Sequence, residues 1–448
     1  MNEAANKKVL DKVESDGVRF IQLQFTDIHG IIKSVTIPTH KLAESLEKGT
    51  WFDGSSIEGF TRICESDMLL MPDTDTYCLL PWETGEESTA RIICDVYTPD
   101  GKPFEGDPRY ILKKALKEAE AAGYDYYVGP ELEFFLFKPN EDGTLRPTTH
   151  DNAGYFDFSP LDLAVKVRRD IIKSLESMGL EVEASHHEVA PGQHEIGFKY
   201  GKALATADNA ITFKHVVKSI AQNHGLHATF MPKPIFGENG SGMHVHQSLF
   251  DKETGKNLFF DEKDRYKLSE TAKRFIAGQL KHVKAMSSVL APTVNSYKRL
   301  VPGYEAPVYL CWGQVNRSAL IRIPRYSPGR EQATRAEIRC PDPSCNPYLA
   351  FAVMIKCGLD GIKNKLTPPE PVEEDVYKYD EAKLAEKGID TIPESLGHAL
   401  YELKQDKVVQ ETLGPHTYPV YVAAKKAEWD AYRLSVSEWE LKKYLETI

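Results

Sequence analysis

Cysteine is scarce: seven in 448 residues, at 64, 78, 94, 311, 340, 345 and 357, with no C-x-x-C among them. An odd number at wide spacing fits reduced thiols in a cytoplasm better than a disulfide frame or a zinc site. No apolar run approaches the roughly 20 residues of a membrane span, and the opening MNEAANKKVLDKVESDG holds no apolar signal core. No membrane partner is expected. Positive charge is not in excess either. A formal net charge of −11 argues against a nucleic-acid partner. There is no Walker A loop, no G-x-G-x-x-G and no internal repeat, so a nucleotide would have to be held by other means.

What is present is an ordinary globular mixture, 41% hydrophobic and 27% charged, long enough for two domains. Residues 1–104 read as a small α+β module: a polar helix at 3–16, a helix at 39–48, and strands at 17–25, 31–37, 68–80 and 91–96. Its glycine-rich stretch at 52–60 is predicted as a loop. A Pro/Gly linker at 98–107 leads to a helix with Asp107 as cap and Pro108 at its first turn. Residues 105–448 then alternate strand and helix. Strands are predicted at 126–137, 181–188, 193–200, 227–232, 242–250, 318–323 and 335–339. Helices are predicted at 161–178, 203–223, 266–290, 347–364 and 423–445.

The strand YYVGPELEFFLF at 126–137 carries Glu131 and Glu133 on one face, because strand side chains alternate. Neighbouring carboxylates in an apolar element repel and are costly to bury unless a cation lies between them. A solvent-facing pair on a half-exposed strand is the plain alternative. The hairpin at 181–200 adds Glu183, Glu188 and Glu195, with Pro191-Gly192 placed to turn Glu188 toward Glu195. After a glycine loop, His244, His246 and Ser248 share a face, as do Arg335, Glu337 and Arg339. Arg299, Arg317 and Arg322 lie in the same half of the chain. The arginine–glutamate alternation could be a self-neutralising surface ladder. Taken with the rest, carboxylates with an imidazole suit Mg²⁺ or Mn²⁺ better than Zn²⁺. Hard cations beside arginines are what phosphoryl transfer from a nucleotide needs. Spacing alone reaches a metal-dependent phosphoryl-transfer enzyme and names no substrate.

Seven motifs in order carry a closer resemblance: FDGSS at 52–56, ELEFF at 131–135, HHEVAPGQHEI at 186–196, NGSGMHVH at 239–246, NSYKRLVPGYEAP at 295–307, NRSALIRIP at 316–324 and RAEIRCPDP at 335–343. Over essentially its whole length the chain resembles the type I glutamine synthetases, of the alpha-like, non-adenylylated kind. The resemblance implies an α+β fold: a β-grasp-like domain at 1–104, then a larger catalytic domain at 105–448 with a mainly antiparallel sheet. Twelve subunits would form two stacked hexameric rings, with each site between adjacent subunits. The implied reaction joins ammonia to L-glutamate through γ-glutamyl phosphate, using ATP and at least two Mg²⁺ or Mn²⁺ per subunit.

By the same resemblance Glu133, Glu188 and Glu195 would hold one cation, and Glu131, His244 and Glu337 the other. Glu183, Tyr200, His246 and Ser248 would line the nucleotide site. Arg317, Arg322 and Arg335 would meet phosphates. Asn239, Gly240, Arg299 and Arg339 would hold glutamate. Glu305 would belong to a flap over the site, and Asp53, from a neighbouring subunit, would take the proton from ammonium. Arg62 matches an arginine tied to glutamine feedback, and a PII-like regulatory protein is a further implied partner. VYKYDEAKL, with Tyr377 and Tyr379, does not match the adenylylated N-L-Y-D-L-P pattern, and Gln332 stands where some relatives have a basic residue. Three other readings stand beside this one: a γ-glutamyl ligase acting on another amine, a non-catalytic ring protein, and a di-metal hydrolase.

Overall fold

The computed structural model describes residues 3–57, 59, 67–140, 142–302 and 306–448. The N-terminal helix α1 (Glu3–Ser15) leads into β1 (Phe20–Thr26) and β2 (Ile32–Pro38), followed by α2 (Leu42–Lys48), β3 (Thr50–Asp53), β4 (Asp67–Pro72), β5 (Cys78–Leu79) and β6 (Thr89–Tyr97). The sheet order is β2-β1-β6-β4-β3, with β5 also on β6 and β1 running parallel to β6. Alternation decides its two faces. Ile21, Leu23 and Phe25 turn inward with Ile92, Cys94 and Val96, and helices α1 and α2 cover them with Val9, Val13, Leu42 and Leu46.

The predicted strand at 68–80 is two strands. Pro72 ends β4, and Asp73 then accepts the Asp75 N–H to start a 3₁₀ turn. Residues 50–53, partly expected as loop, form β3, with Asp53 opposite Asp67. Trp51 and Phe52 are good strand formers, and pairing with β4 outweighs the local glycine signal.

The larger part begins with α3 (Pro108–Ala121), capped by Asp107. Its strands are β7 (Tyr124–Phe137), β8 (Val182–His187), β9 (Gln193–Phe198), β10 (Gly201–Lys202), β11 (His227–Thr229), β12 (Met243–Asp251), β13 (Tyr309–Gly313), β14 (Ala319–Arg322) and β15 (Ala336–Ile338). They form one sheet in the order β13-β14-β15-β12-β7-β9-β8, with β10 and β11 also on β7. Within this sheet only the β13–β14 pair is parallel among the described strands. The helices are α4 (Val165–Ser177), α5 (Ala203–Asn223), α6 (Glu270–Leu290), α7 (Ser296–Arg299), α8 (Pro347–Lys363), α9 (Glu381–Lys387), α10 (Leu396–Leu403), α11 (Lys407–Leu434), broken by a kink at Gly414, and α12 (Glu438–Tyr444).

Leu132, Phe134 and Leu136 of β7 point into the core with α3 and α5 behind them, leaving the other face of the sheet free for polar residues. Helix α8, apolar on nearly all sides, runs through the middle of the helical layer. Helix α4 starts at Val165 rather than 161, because Asp162 folds back onto the Ala164 N–H. The predicted helix at 423–445 breaks after Leu434, and α12 restarts from the Ser437/Glu440 capping box. Strand β13 was not expected. Its β-forming run is short, and it gains pairing only where β14 is brought beside it.

The two parts are tied by charge and by main-chain contacts. Arg109 of α3 is buried and donates to Asp73 and Asp95 of the N-terminal part and to Asp208 of α5. Asn346, the cap of α8, donates to the Asp27 carbonyl.

Candidate active site

Register builds the site. His244 on β12 lies opposite Glu131 on β7, His246 opposite Glu337 on β15, Arg322 on β14 opposite Glu337, and Glu133 opposite Glu195 on β9. Side chains on paired positions share a face, so a row of carboxylates and imidazoles crosses the polar face of the sheet.

His246 has a fixed role. Arg335 Nε donates to its Nδ1 at 3.1 Å, so Nε2 carries the ring hydrogen and donates to Glu131 Oε1 at 2.8 Å. That leaves no lone pair for a cation. His244 differs: its Nδ1 stands 3.7 Å from Glu131 Oε2 and 3.4 Å from Glu337 Oε1. Neighbouring ligands of an octahedral ion lie about 3 Å apart at bond lengths near 2.1 Å, so these three groups are spaced to share a cation. Glu337 also accepts from Arg322 Nη1 at 3.0 Å and from Arg339 Nε at 3.1 Å. Burial disfavours the Glu337 carboxylate, but the hydrogen bond and charge of His244, with Arg339, act against it and hold its pKa at about 2. Glu131 is likewise held far below the usual range by His244 and His246 despite burial. His244, between two carboxylates, is raised to about 9 against the effects of burial and Arg339.

On the other side of the row the balance reverses. Burial pushes Glu195 up to about 9, helped by the charges of Glu133, Glu131 and Glu188, and it pushes Glu133 upward too. Carboxylates this close cannot all ionise without positive charge among them. The hairpin differs from expectation in detail: the residue opposite Glu195 is His186, and Glu188 sits just beyond the end of β8. His186 Nε2 is 2.7 Å from Glu188 Oε1, and ligand atoms of His186, Glu188 and Glu195 all lie within 4.8 Å of one another.

His186 and Gln193 were missed in the sequence. Gln193 is buried, and its Nε2 donates to Glu133 Oε2 at 3.0 Å and to the Gly240 carbonyl at 3.1 Å. Alternation would have found both, since 186 is in step with 188 and 193 with 195.

Two openings flank the row. The smaller is lined by Glu133, Glu188, Gln193, Asn239, Gly240, His244, Arg299 and Arg339. Arg299 spends three N–H groups on the carbonyls of Arg339, Cys340 and Pro341, so part of its guanidinium is scaffold. A side chain at Gly242 would come within 2.5 Å of Arg299 Nη2, which explains the glycine. The larger opening is a cavity of about 430 Å³ that includes Glu183, Tyr200, His246, Ser248 and Arg335 in its wall. Tyr127 and Tyr200 meet there edge-on, their ring centroids 6.1 Å apart.

Arg317 is exposed, and its carbonyl accepts from Arg339. Asp53 is exposed at the end of β3, its pKa lowered by hydrogen bonds from Ser55. Among the described residues, neither opening is lined by any residue of the N-terminal sheet. Arg62 and Glu305 lie outside the described residues.

Carboxylates and a histidine spaced for hard cations, arginines beside them and a nucleotide-sized cavity define a class: metal-dependent enzymes acting on a nucleotide. Comparison with known proteins is more specific. Residues 17–99 match the family model described as glutamine synthetase, beta-Grasp domain, and residues 105–444 match glutamine synthetase, catalytic domain. A glutamine synthetase of Clostridium saccharobutylicum is 55% identical over 445 residues, covering 99% of each chain. One of Methanosarcina mazei is 56% identical, covering 98% of this chain and 97% of its own. A solved structure described as a GmaS/ADP complex superposes with a TM-score of 0.89 at 33% identity, over 98% of this chain and 99% of the other. The chain belongs to the glutamine synthetase family.

Proposed function

We propose that this protein is an ATP-dependent glutamate–ammonia ligase that forms L-glutamine, ADP and phosphate through γ-glutamyl phosphate. The observation that carries the reading is the spacing of His244, Glu131 and Glu337, set between a nucleotide-sized cavity and the small opening at Asn239 and Arg299. The chemistry of the donor set, carboxylate oxygens with one imidazole, fits Mg²⁺ or Mn²⁺. Glu131, His244 and Glu337 would hold one ion, and Glu133, Glu188 and Glu195 the other. Bound there, the cations would neutralise phosphate oxygens during transfer.

The chain's own groups do the rest. Tyr200 offers a ring face for the base, and Glu183, His246 and Ser248 line the wall beside it. Arg322 and Arg335 are half-buried on the polar face, and with the exposed Arg317 they supply fixed positive charge where a phosphoryl group moves. Asn239, Gly240, Arg299 and Arg339 bind glutamate and orient its γ-carboxylate toward the nucleotide. Asp53, ionised and exposed on β3, takes a proton from ammonium and leaves the nucleophile NH₃. Glu305 belongs to the flap that keeps water from the acyl phosphate.

The site is shared. The N-terminal sheet lines neither opening among the described residues, which supports Asp53 coming from a neighbouring subunit in a ring. A dodecamer of two stacked rings supplies such neighbours. Exposed Leu434, Val436, Trp439, Leu441 and Leu445 near α12 give the rings an apolar surface to meet on. Domains at 1–104 and 105–448, feedback through Arg62, a PII-like partner and a cytoplasmic location complete the reading. Five of the six described thiols are buried and none is paired, and among the described residues no helix is long and apolar enough to cross a membrane.

The test is phosphate release from ATP with Mg²⁺ and glutamate, comparing ammonium with a panel of amines and repeating it with 2-oxoglutarate present. Ammonium-dependent release with glutamine formed is the expected result. Release only with other amines would overturn the role of Asp53 and favour a ligase for another amine.

A further inference from the structure

Behind the carboxylates, on the opposite side of the β8–β9 hairpin, six polar side chains are buried together: His150, Asp151, Asp162, Arg168, His187 and His194, each at least nine-tenths hidden. Alternation places two of them. His187 and His194 precede Glu188 and Glu195 by one residue and face each other in register, so they point away from the site. Buried polar groups are costly unless bonded, so the bonding pattern shows what this cluster is for.

One possibility is a third cation site, because atoms of His150, Asp151 and His194 lie within 4.8 Å of one another. The ring hydrogens exclude it. Arg168 can only donate, and its Nη1 is 2.9 Å from His194 Nδ1. That nitrogen therefore accepts, and His194 Nε2 carries the hydrogen and cannot ligate.

The bonds converge elsewhere. Asp151 Oδ1 accepts the Gly192 N–H at 3.0 Å and faces His187 Nε2 at 3.2 Å. His187 Nδ1 donates in turn to the Glu188 carbonyl at 2.7 Å. Asp151 thus grips both ends of the turn at 188–193: Gly192 directly, Glu188 through the imidazole. Gly192 adopts φ +70, a conformation that needs holding and suits glycine. From the front, Gln193 ties the same turn to Glu133. Glu188 leaves from one end of this turn, and Glu195 follows two residues after the other.

We propose that Asp151 is a positioning residue that holds this turn through Gly192 and His187, and thereby sets the affinity of the cation position formed by Glu133, Glu188 and Glu195. It touches neither ion nor substrate. The inference rests on the reading of those three glutamates as ligands. Removing a hydrogen-bonding partner behind a metal ligand typically weakens binding about 10–100-fold.

The experiment is Mn²⁺ titration of the full-length protein, followed by calorimetry and by electron paramagnetic resonance of free Mn²⁺, for wild type, Asp151→Ala, Asp151→Asn and Glu188→Ala. Asp151→Ala is expected to weaken one class of Mn²⁺ site about 10–100-fold and leave the other unchanged. Its kcat should return toward wild type at saturating Mg²⁺, while the Mg²⁺ concentration for half-maximal rate rises. Asn keeps an oxygen for Gly192 and His187 but turns its NH₂ toward the Leu163 N–H that Asp151 Oδ2 accepts, so it should restore part of the affinity. If Glu188→Ala loses that class while Asp151→Ala keeps both, the positioning role is wrong and the site stands. If Glu188→Ala keeps both, the site reading itself fails. Equal weakening of both classes, or Asn as weak as Ala, also overturns the proposal. Should Asp151→Ala not assemble, His187→Gln, which cuts only the link to Glu188, carries the same test.

Discussion

Glu133 and Glu195 stand directly opposite each other on β7 and β9, on the polar face of the sheet, and burial raises the pKa of both. Without a cation the folded chain therefore holds protons there that the unfolded chain releases near 4.5, the ordinary value for glutamate. Stability of the metal-free protein should fall as pH rises from that value toward about 9. His244, raised from 6.5 to about 9, acts in the same direction: the contribution of its imidazolium is lost as pH rises through about 9. Melting of chelator-treated protein should be lower at about pH 8.5 than at about pH 6, and Mg²⁺ should narrow the gap. A flat profile would contradict the pairing.

Metal uptake must displace the same protons, so apparent Mg²⁺ affinity should rise with pH through neutrality. Calorimetry in buffers of different ionisation enthalpy reads this directly. Heat that does not depend on the buffer would count against ligation by Glu133 and Glu195.

Glu133→Ala should lower turnover at least about 10²-fold, since metal stabilisation is worth several kcal/mol, without changing assembly. Asp53→Ala should also be inactive. If the site is shared between subunits, oligomers assembled from a mixture of the two variants should regain activity, because some interfaces then combine two intact halves. Mixtures as inactive as either variant would place Asp53 outside the site.

Tyr200 presents a half-exposed ring in the larger cavity. Loss of base stacking is worth about 1–3 kcal/mol, so Tyr200→Ala should raise the KM for ATP several-fold or more and leave that for glutamate nearly unchanged. An unchanged KM for ATP would move the base elsewhere.

Arg109 links the two parts, donating at 2.7 Å to Asp95, 2.8 Å to Asp73 and 2.9 Å to Asp208. Arg109→Ala takes the cation from Asp73 and Asp208, while Asp95 keeps Lys113 and Asp208 keeps the Tyr348 hydroxyl. A loss of about 3–5 kcal/mol is expected for breaking a buried ionic group from one side. The urea midpoint measures it, and a shift under about 1 kcal/mol would show that the contact is solvated.

How much of this was legible depended on the range of the interaction involved. The cap of α3 was readable because Asp107 and Pro108 act on their own turn, and α5 because its apolar pattern is local. Strands β3 and β13 were not, since each becomes a strand only by pairing with a separate segment across an intervening loop. The break before α12 was missed because the apolar pattern runs across it, while the Ser437 cap decides the geometry.

The sequence by itself determined which residue types share a face: alternation put Glu131 with Glu133 and His244 with His246, and the motifs supplied the family. Tertiary structure decided which of these groups meet. Register across five strands set His244 between Glu131 and Glu337, put His186 rather than Glu188 opposite Glu195, and aimed Arg335 at His246. It also placed Asp151 and Gln193 on opposite sides of one turn. Those relations depend on hydrogen bonds between segments far apart in the chain, and no local pattern encodes them.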